Sequence, residues 1–189
     1  MLAAVSLLAV LAGLGLSYVR ATGLSARATP GRIEARLARS VRAFAISSAD
    51  RQKPNPVARS DEAVRAGLEH YADHCAVCHG NDGSGSTNFG RGLFPPSPDL
   101  RAAPTQQMTD GEIFYVIENG VRFTGMPAFG TGTAAGQEES WKLVHFIRHL
   151  PGLSEAEVEQ MKGLNPRSPV EIRQEIEEEE FLRGGRAPD

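Results

Sequence analysis

Cys75 and Cys78 are the only two cysteines among 189 residues, and His79 follows the second directly. Two thiols separated by two residues on a turn of helix can each form a thioether to one vinyl group of the same porphyrin. The next residue is then forced beneath the iron. The run Cys75-Ala76-Val77-Cys78-His79 therefore predicts covalent attachment of one haem c, with His79 as the proximal ligand. Two other chemistries use paired cysteines. A redox dithiol needs a thioredoxin-like βαβ pattern, and half of a zinc site needs a second ligand pair; the sequence supplies neither.

A second ligand must come from elsewhere in the chain. In Arg122-Phe123-Thr124-Gly125-Met126-Pro127-Ala128-Phe129 a methionine sits between glycine and proline, flanked by aromatics. A thioether sulfur favours ferrous iron, and His/Met ligation raises the potential relative to His/His. Met126 is the candidate distal ligand, although filling a gap in a core is the commoner use of methionine. Met108, just before a helix cap, and Met161, in an acidic helix, are weaker candidates. His70 and His74 stand too close to Cys75 in sequence to reach the opposite haem face. His145 and His149 are four apart, with no carboxylate or thiol at a convincing spacing. All four histidines are expected at the surface.

These residues need elements to position them. Ser60 or Asp61 can cap a helix running to the cysteines, with Val64, Leu68 and Tyr71 on one face and Gly67 where a second helix could cross closely. The loop Gly80-Asn81-Asp82-Gly83-Ser84-Gly85-Ser86 carries the glycines that a tight turn away from the porphyrin requires. Pro95-Pro96-Ser97-Pro98 reads as extended chain, and one of its carbonyls is expected to accept the Nδ1 proton of His79. Thr109 to Glu112 forms a capping box ahead of Ile113, Phe114 and Ile117, and Asn119-Gly120 stops that helix. A further helix spans Glu138 to Leu150, where Trp141, Val144, Ile147 and Leu150 form a stripe that can pack across Gly67 and Tyr71.

The flanks differ from this centre in charge. Residues 1–53 carry eight Arg/Lys against two acids, and residues 54–189 carry twelve against twenty-one. No nucleic-acid motif accompanies the basic part. Leu2 to Val19 is free of charge over 18 residues, just long enough to cross a bilayer. It reads as an uncleaved anchor, with a cleavable signal ending near Ala26-Arg27-Ala28 as the alternative. Ile33, Leu37, Val41 and Phe44 recur at helical spacing among Arg32, Arg36, Arg39 and Arg42, which suits either a helix lying on anionic lipid or a solvated stalk. Pro54-Asn55-Pro56 marks a linker. The acidic run Glu177 to Glu180 follows a second capping box at Ser154 to Glu157, and reads as a solvated helix face or a docking strip for a basic partner.

With these motifs in view, residues 58–151 resemble a class I monohaem cytochrome c. The resemblance rests on Cys75 to Gly80, the Gly/Pro loops, Gly125-Met126-Pro127 and the aromatic-bearing last helix, about half the chain. It implies an all-α cytochrome c fold around one covalently bound haem, here with an N-terminal transmembrane helix and an acidic helical C-terminal extension. It also implies thioethers at Cys75 and Cys78, axial ligands His79 and Met126, and transfer of single electrons rather than catalysis. The expected division is an anchor at 1–20, a basic stretch at 21–57, the haem domain at 58–151 and an acidic tail at 152–189. Expected partners are a quinol-oxidising complex, a dehydrogenase and a terminal oxidase or reductase. The positive-inside rule, with all eight basic residues after the apolar stretch, points the haem domain to the cytoplasm. Haem c is attached on the outer side of the energised membrane, so the expectation is the inner membrane with the haem domain facing the periplasm. The alternative function is a haem-based sensor of small ligands or a peroxidase with a labile sixth ligand; a peroxidase wants a distal acid/base pair, and the loop offers Arg122 near Met126 but no histidine, which counts against it.

Overall fold

A computed structural model describes residues 2–183; Met1 and the end of the expected acidic tail, 184–189, lie outside the described residues. Every regular element among the described residues is helical. In chain order they are α1 (Leu2–Thr22), α2 (Arg32–Ala45), α3 (Ser48–Arg51), α4 (Asp61–His74), α5 (Ala76–His79), α6 (Asn88–Arg91), α7 (Ala103–Gln106), α8 (Asp110–Asn119), α9 (Ala134–His149), α10 (Glu155–Lys162) and α11 (Pro169–Leu182), with a 3-10 turn at Leu150–Gly152 after α9.

The core forms where α4 crosses α9. Gly67 permits it: a Cβ there would lie 2.3 Å from the Lys142 carbonyl oxygen and 2.9 Å from the Phe146 Cβ. Removing a side chain at the crossing lets the backbones approach closely. Tyr71 then meets Phe146 with ring centroids 5.0 Å apart. The expected stripe of Trp141, Val144, Ile147 and Leu150 is buried, joined by Leu143 and Phe146. Burying each such side chain contributes about 1.5–3 kcal/mol. From α8, Ile113, Phe114 and Ile117 close the core, and Phe114 stacks on Trp141 at 4.0 Å.

Helix starts follow the sequence. The Ser60 hydroxyl accepts from the Ala63 N–H, and the Thr109–Glu112 and Ser154–Glu157 boxes both form. Another box, Ser168–Glu171, starts α11.

Packing extends past both expected edges of the haem domain. Met161 on α10 is 0% exposed and belongs to the core, while Asn165 Nδ2 donates to the Ala72 carbonyl at 2.8 Å. By contrast, no residue of α11 is buried. On the other side, α3 packs against α8, with Asp50 O only 2.1 Å from where a Cβ on Gly111 would stand. The Pro54–Pro56 segment is fastened as well. Asn55 Nδ2 donates to the Trp141 carbonyl at 3.1 Å.

His145 departs from its expected surface position. It is buried, with Nε2 2.8 Å from the Val57 carbonyl oxygen. A carbonyl only accepts, so Nε2 carries the proton and donates to Val57. Helical spacing alone does not separate a polar face from an inward histidine whose partner comes from a distant loop. His149 is half-buried and sits 2.7 Å from the Glu157 carboxylate. His70 is half-buried, its pKa lowered by burial and by the neighbouring His74, and His74 is exposed.

Candidate haem site

The proximal wall is built where α4 ends. The Cys75 N–H donates to the Tyr71 carbonyl at 2.9 Å and closes α4, and the Cys75 carbonyl in turn accepts from the His79 N–H at 2.9 Å. The five residues of the motif thus occupy one helical turn, which directs Cys75 and Cys78 into the same cavity as His79. Gly80 breaks the turn with φ of 75°, a region that favours glycine. Three hydrogen bonds then fix the wall from behind. Tyr71 Oη donates to the Gly80 carbonyl at 3.0 Å, Thr87 Oγ1 to the Val77 carbonyl at 2.8 Å, and the Gly85 N–H to the His79 carbonyl at 2.7 Å. Gly90 tolerates no Cβ, which would stand 2.2 Å from the Cys78 oxygen.

The cavity measures about 630 Å³ and is lined mostly by apolar groups. That size lies within the range of small-molecule and cofactor sites. Its donor set suits a haem. Burial pushes the Cys75 thiol up to about 12, with Cys78 adding to the shift. Both sulfurs are free thiols on the cavity wall, available to form the two thioethers of a covalent haem. Burial also lowers the pKa of His79, opposed by the Pro98 carbonyl. Burial thus disfavours the charged imidazolium in this cavity. Nδ1 of His79 is buried without a hydrogen-bond partner among the described residues, so the bond to a Pro95–Pro98 carbonyl expected from the sequence is not formed, and the Pro98 carbonyl acts only to oppose the pKa shift.

The distal candidate reaches the same cavity from a loop. Met126 is half-buried on its wall. The loop is tied to itself: the Val121 N–H donates to the Met126 carbonyl at 3.1 Å, the Met126 N–H to Thr124 Oγ1 at 3.1 Å, and that hydroxyl to the Val121 carbonyl at 2.7 Å. Gly120, with φ of 65°, lets the chain double back, since a Cβ would meet the Pro127 carbonyl carbon at 2.6 Å. Of the flanking aromatics, Phe129 packs against the core, while Phe123 is 93% exposed.

Met108 also lines the cavity, and Met161 does not. The Met108 segment is clasped by Arg148, which donates to its carbonyl oxygen, to Gln106 O and to Asp110. His74 stands at the rim, edge-on to Phe129 at 6.2 Å. Arg122 is exposed and away from the cavity wall.

Sequence reasoning missed one contributor. Ala35, Ala38, Arg39 and Arg42 of α2 line the cavity. Arg42 lies 3.7 Å from the Met108 sulfur, and burial lowers its pKa against the pull of Glu112. The available signal was the Ala35/Ala38 pair on the side of α2 opposite its apolar stripe.

Residues 62–147 match the family described as cytochrome C oxidase, cbb3-type, subunit III. Bound in this cavity, haem supplies a one-electron ferric/ferrous couple. With the family match, the all-helical fold and the paired cysteines on one cavity wall, residues 62–147 constitute a monohaem c-type cytochrome domain that carries haem c covalently.

Proposed function

We propose that the protein is a membrane-tethered periplasmic cytochrome that shuttles single electrons between respiratory or dehydrogenase partners through a haem ligated by His79 and Met126. The observation that carries this reading is the shared cavity, in which Cys75, Cys78 and His79 meet Met126. His79 and Met126 would both be taken up in holding the haem, leaving no position for a substrate, so the protein is a carrier, alone or as a subunit of a larger oxidoreductase. The family description favours a terminal oxidase among the partners. Val77 and Phe94 line the cavity and are exposed, leaving an apolar rim where a partner can approach the porphyrin edge.

α1 includes Ala3–Thr22, long and apolar enough to cross a membrane. It is the proposed anchor, and the basic segment that follows, through residue 57, packs onto the haem domain through α2 and α3. The domain faces the periplasm because haem c is attached there.

The test is the absorption spectrum of the reduced full-length protein before and after carbon monoxide. An unchanged spectrum is expected, because a strong ligand already holds the sixth position. A prompt shift to a carbon monoxide complex would overturn the carrier reading in favour of ligand sensing or peroxide chemistry.

A further inference from the structure

α2 has two unlike faces. Ala35, Ala38, Arg39 and Arg42 turn to the haem cavity. Ile33, Leu37, Val41 and Phe44, about 100° per residue apart around the helix, fall on the other side and are exposed, Ile33 at 85% and Phe44 at 91%. Arg32 and Arg36 are exposed as well.

The helix is not a free stalk. Ile46, immediately after it, is buried. Arg51 on α3 donates to the Ala43 carbonyl and lies 3.2 Å from Glu112, while Thr109 Oγ1 donates to the Arg51 carbonyl at 2.6 Å. The C-terminal end of α2 is thereby joined to α8 of the haem domain. Its other end is joined to the candidate membrane span. Only residues 23–31 separate α1 from α2, and nine residues reach at most about 30 Å when fully extended. An apolar stripe beside arginines, tethered this close to a bilayer, has the composition of a helix that lies in the membrane interface and pairs with lipid phosphates.

We propose that α2 docks the haem domain on an anionic bilayer: Ile33, Leu37, Val41 and Phe44 enter the interface, Arg32 and Arg36 meet lipid phosphates, and the opposite face stays over the haem cavity. The cavity is then held at the membrane surface in one orientation. This rests on the reading that α1 spans the membrane.

The test uses the full-length holoprotein in vesicles of phosphatidylcholine mixed with phosphatidylglycerol. The native cysteines are consumed by haem, so one introduced thiol at a time can carry a nitroxide, as Leu11→Cys, Phe44→Cys or Glu62→Cys. Docking is expected to make residue 44 accessible to dissolved oxygen with loss of relaxation by a water-soluble nickel chelate, while residue 62 keeps its nickel accessibility. The double variant Leu37→Glu/Phe44→Glu is expected to keep its haem absorption but lose the fixed haem tilt seen by polarised absorption in oriented bilayers. Nickel accessibility at 44 equal to that at 62 would overturn the docking, as would an unchanged haem tilt in the double variant. Shielding of residue 44 with dipolar coupling between labels would also overturn it, by showing a second copy on this face. Residue 11 reports on α1 separately. If 11 is buried and 44 is not, the anchor stands and the docking falls; if 11 is open to nickel, the anchor itself has failed.

Discussion

The two sides of the haem cavity are built by different means. On the proximal side, Cys75, Cys78 and His79 occupy one helical turn that continues a long core helix and is braced by Tyr71, Thr87 and Gly85. On the distal side, Met126 sits in a loop whose hydrogen bonds run largely between its own residues, Val121, Thr124 and Met126. The proximal wall is thus an extension of the core. The distal wall is a local structure joined to the core where Phe129 packs and where the Phe129 and Gly130 N–H groups donate to the Ile117 and Glu118 carbonyls of α8. The difference suggests that perturbing the proximal side costs cofactor or fold, and perturbing the distal side costs potential.

The largest expected effect is the double substitution Cys75→Ala/Cys78→Ala, which should abolish covalent attachment. Haem staining of the denatured protein on a gel would be lost, and stain that persisted would break the assignment of the proximal wall. Next, Met126→Ala should retain the covalent haem while the reduction potential falls by on the order of 0.1 V, within the roughly 0.8 V that axial ligation commands. Met108→Ala should leave the potential near that of the native protein. A large drop at Met108 with none at Met126 would reverse the distal assignment.

Gly67→Ala probes how far the proximal side depends on the core. Its Cβ has no room against the Lys142 carbonyl, so a loss of roughly 1–3 kcal/mol is expected from overpacking. Thermal unfolding measures this, and an unchanged midpoint would mean the crossing is looser than described. The smallest effect is expected for Tyr71→Phe. The phenol reaches the Gly80 carbonyl, and removing it leaves a stability loss of about 1 kcal/mol. The chain Thr124→Ala, compared with Tyr71→Phe, sharpens the contrast: its effect should fall on the potential more than on the unfolding midpoint.

The helices on either side of residue 165 show why some boundaries were legible and others were not. α10 and α11 are both acidic and both begin with a serine capping box. Capping depends on residues three apart, so a helix start can be read along the chain. Whether the helix joins the core depends on what stands opposite. Met161 finds the α4 side of the core, whereas Ile172 and Ile176 on α11 remain exposed. The same limit applies to His145, whose acceptor lies 88 residues away, and to the cavity-facing side of α2.

By itself, the sequence pointed to the cofactor, because Cys75, Cys78 and His79 fall within one helical turn and that spacing is read locally. It also determined the close crossing at Gly67 and the main apolar stripes, because 3.6-residue periodicity and a missing side chain are local properties. Only the tertiary structure decided which methionines reach the cavity, where the core ends and which face of α2 looks inward. Each of those depends on the meeting of segments far apart in the chain, and no local spacing encodes the surface that a second segment will present.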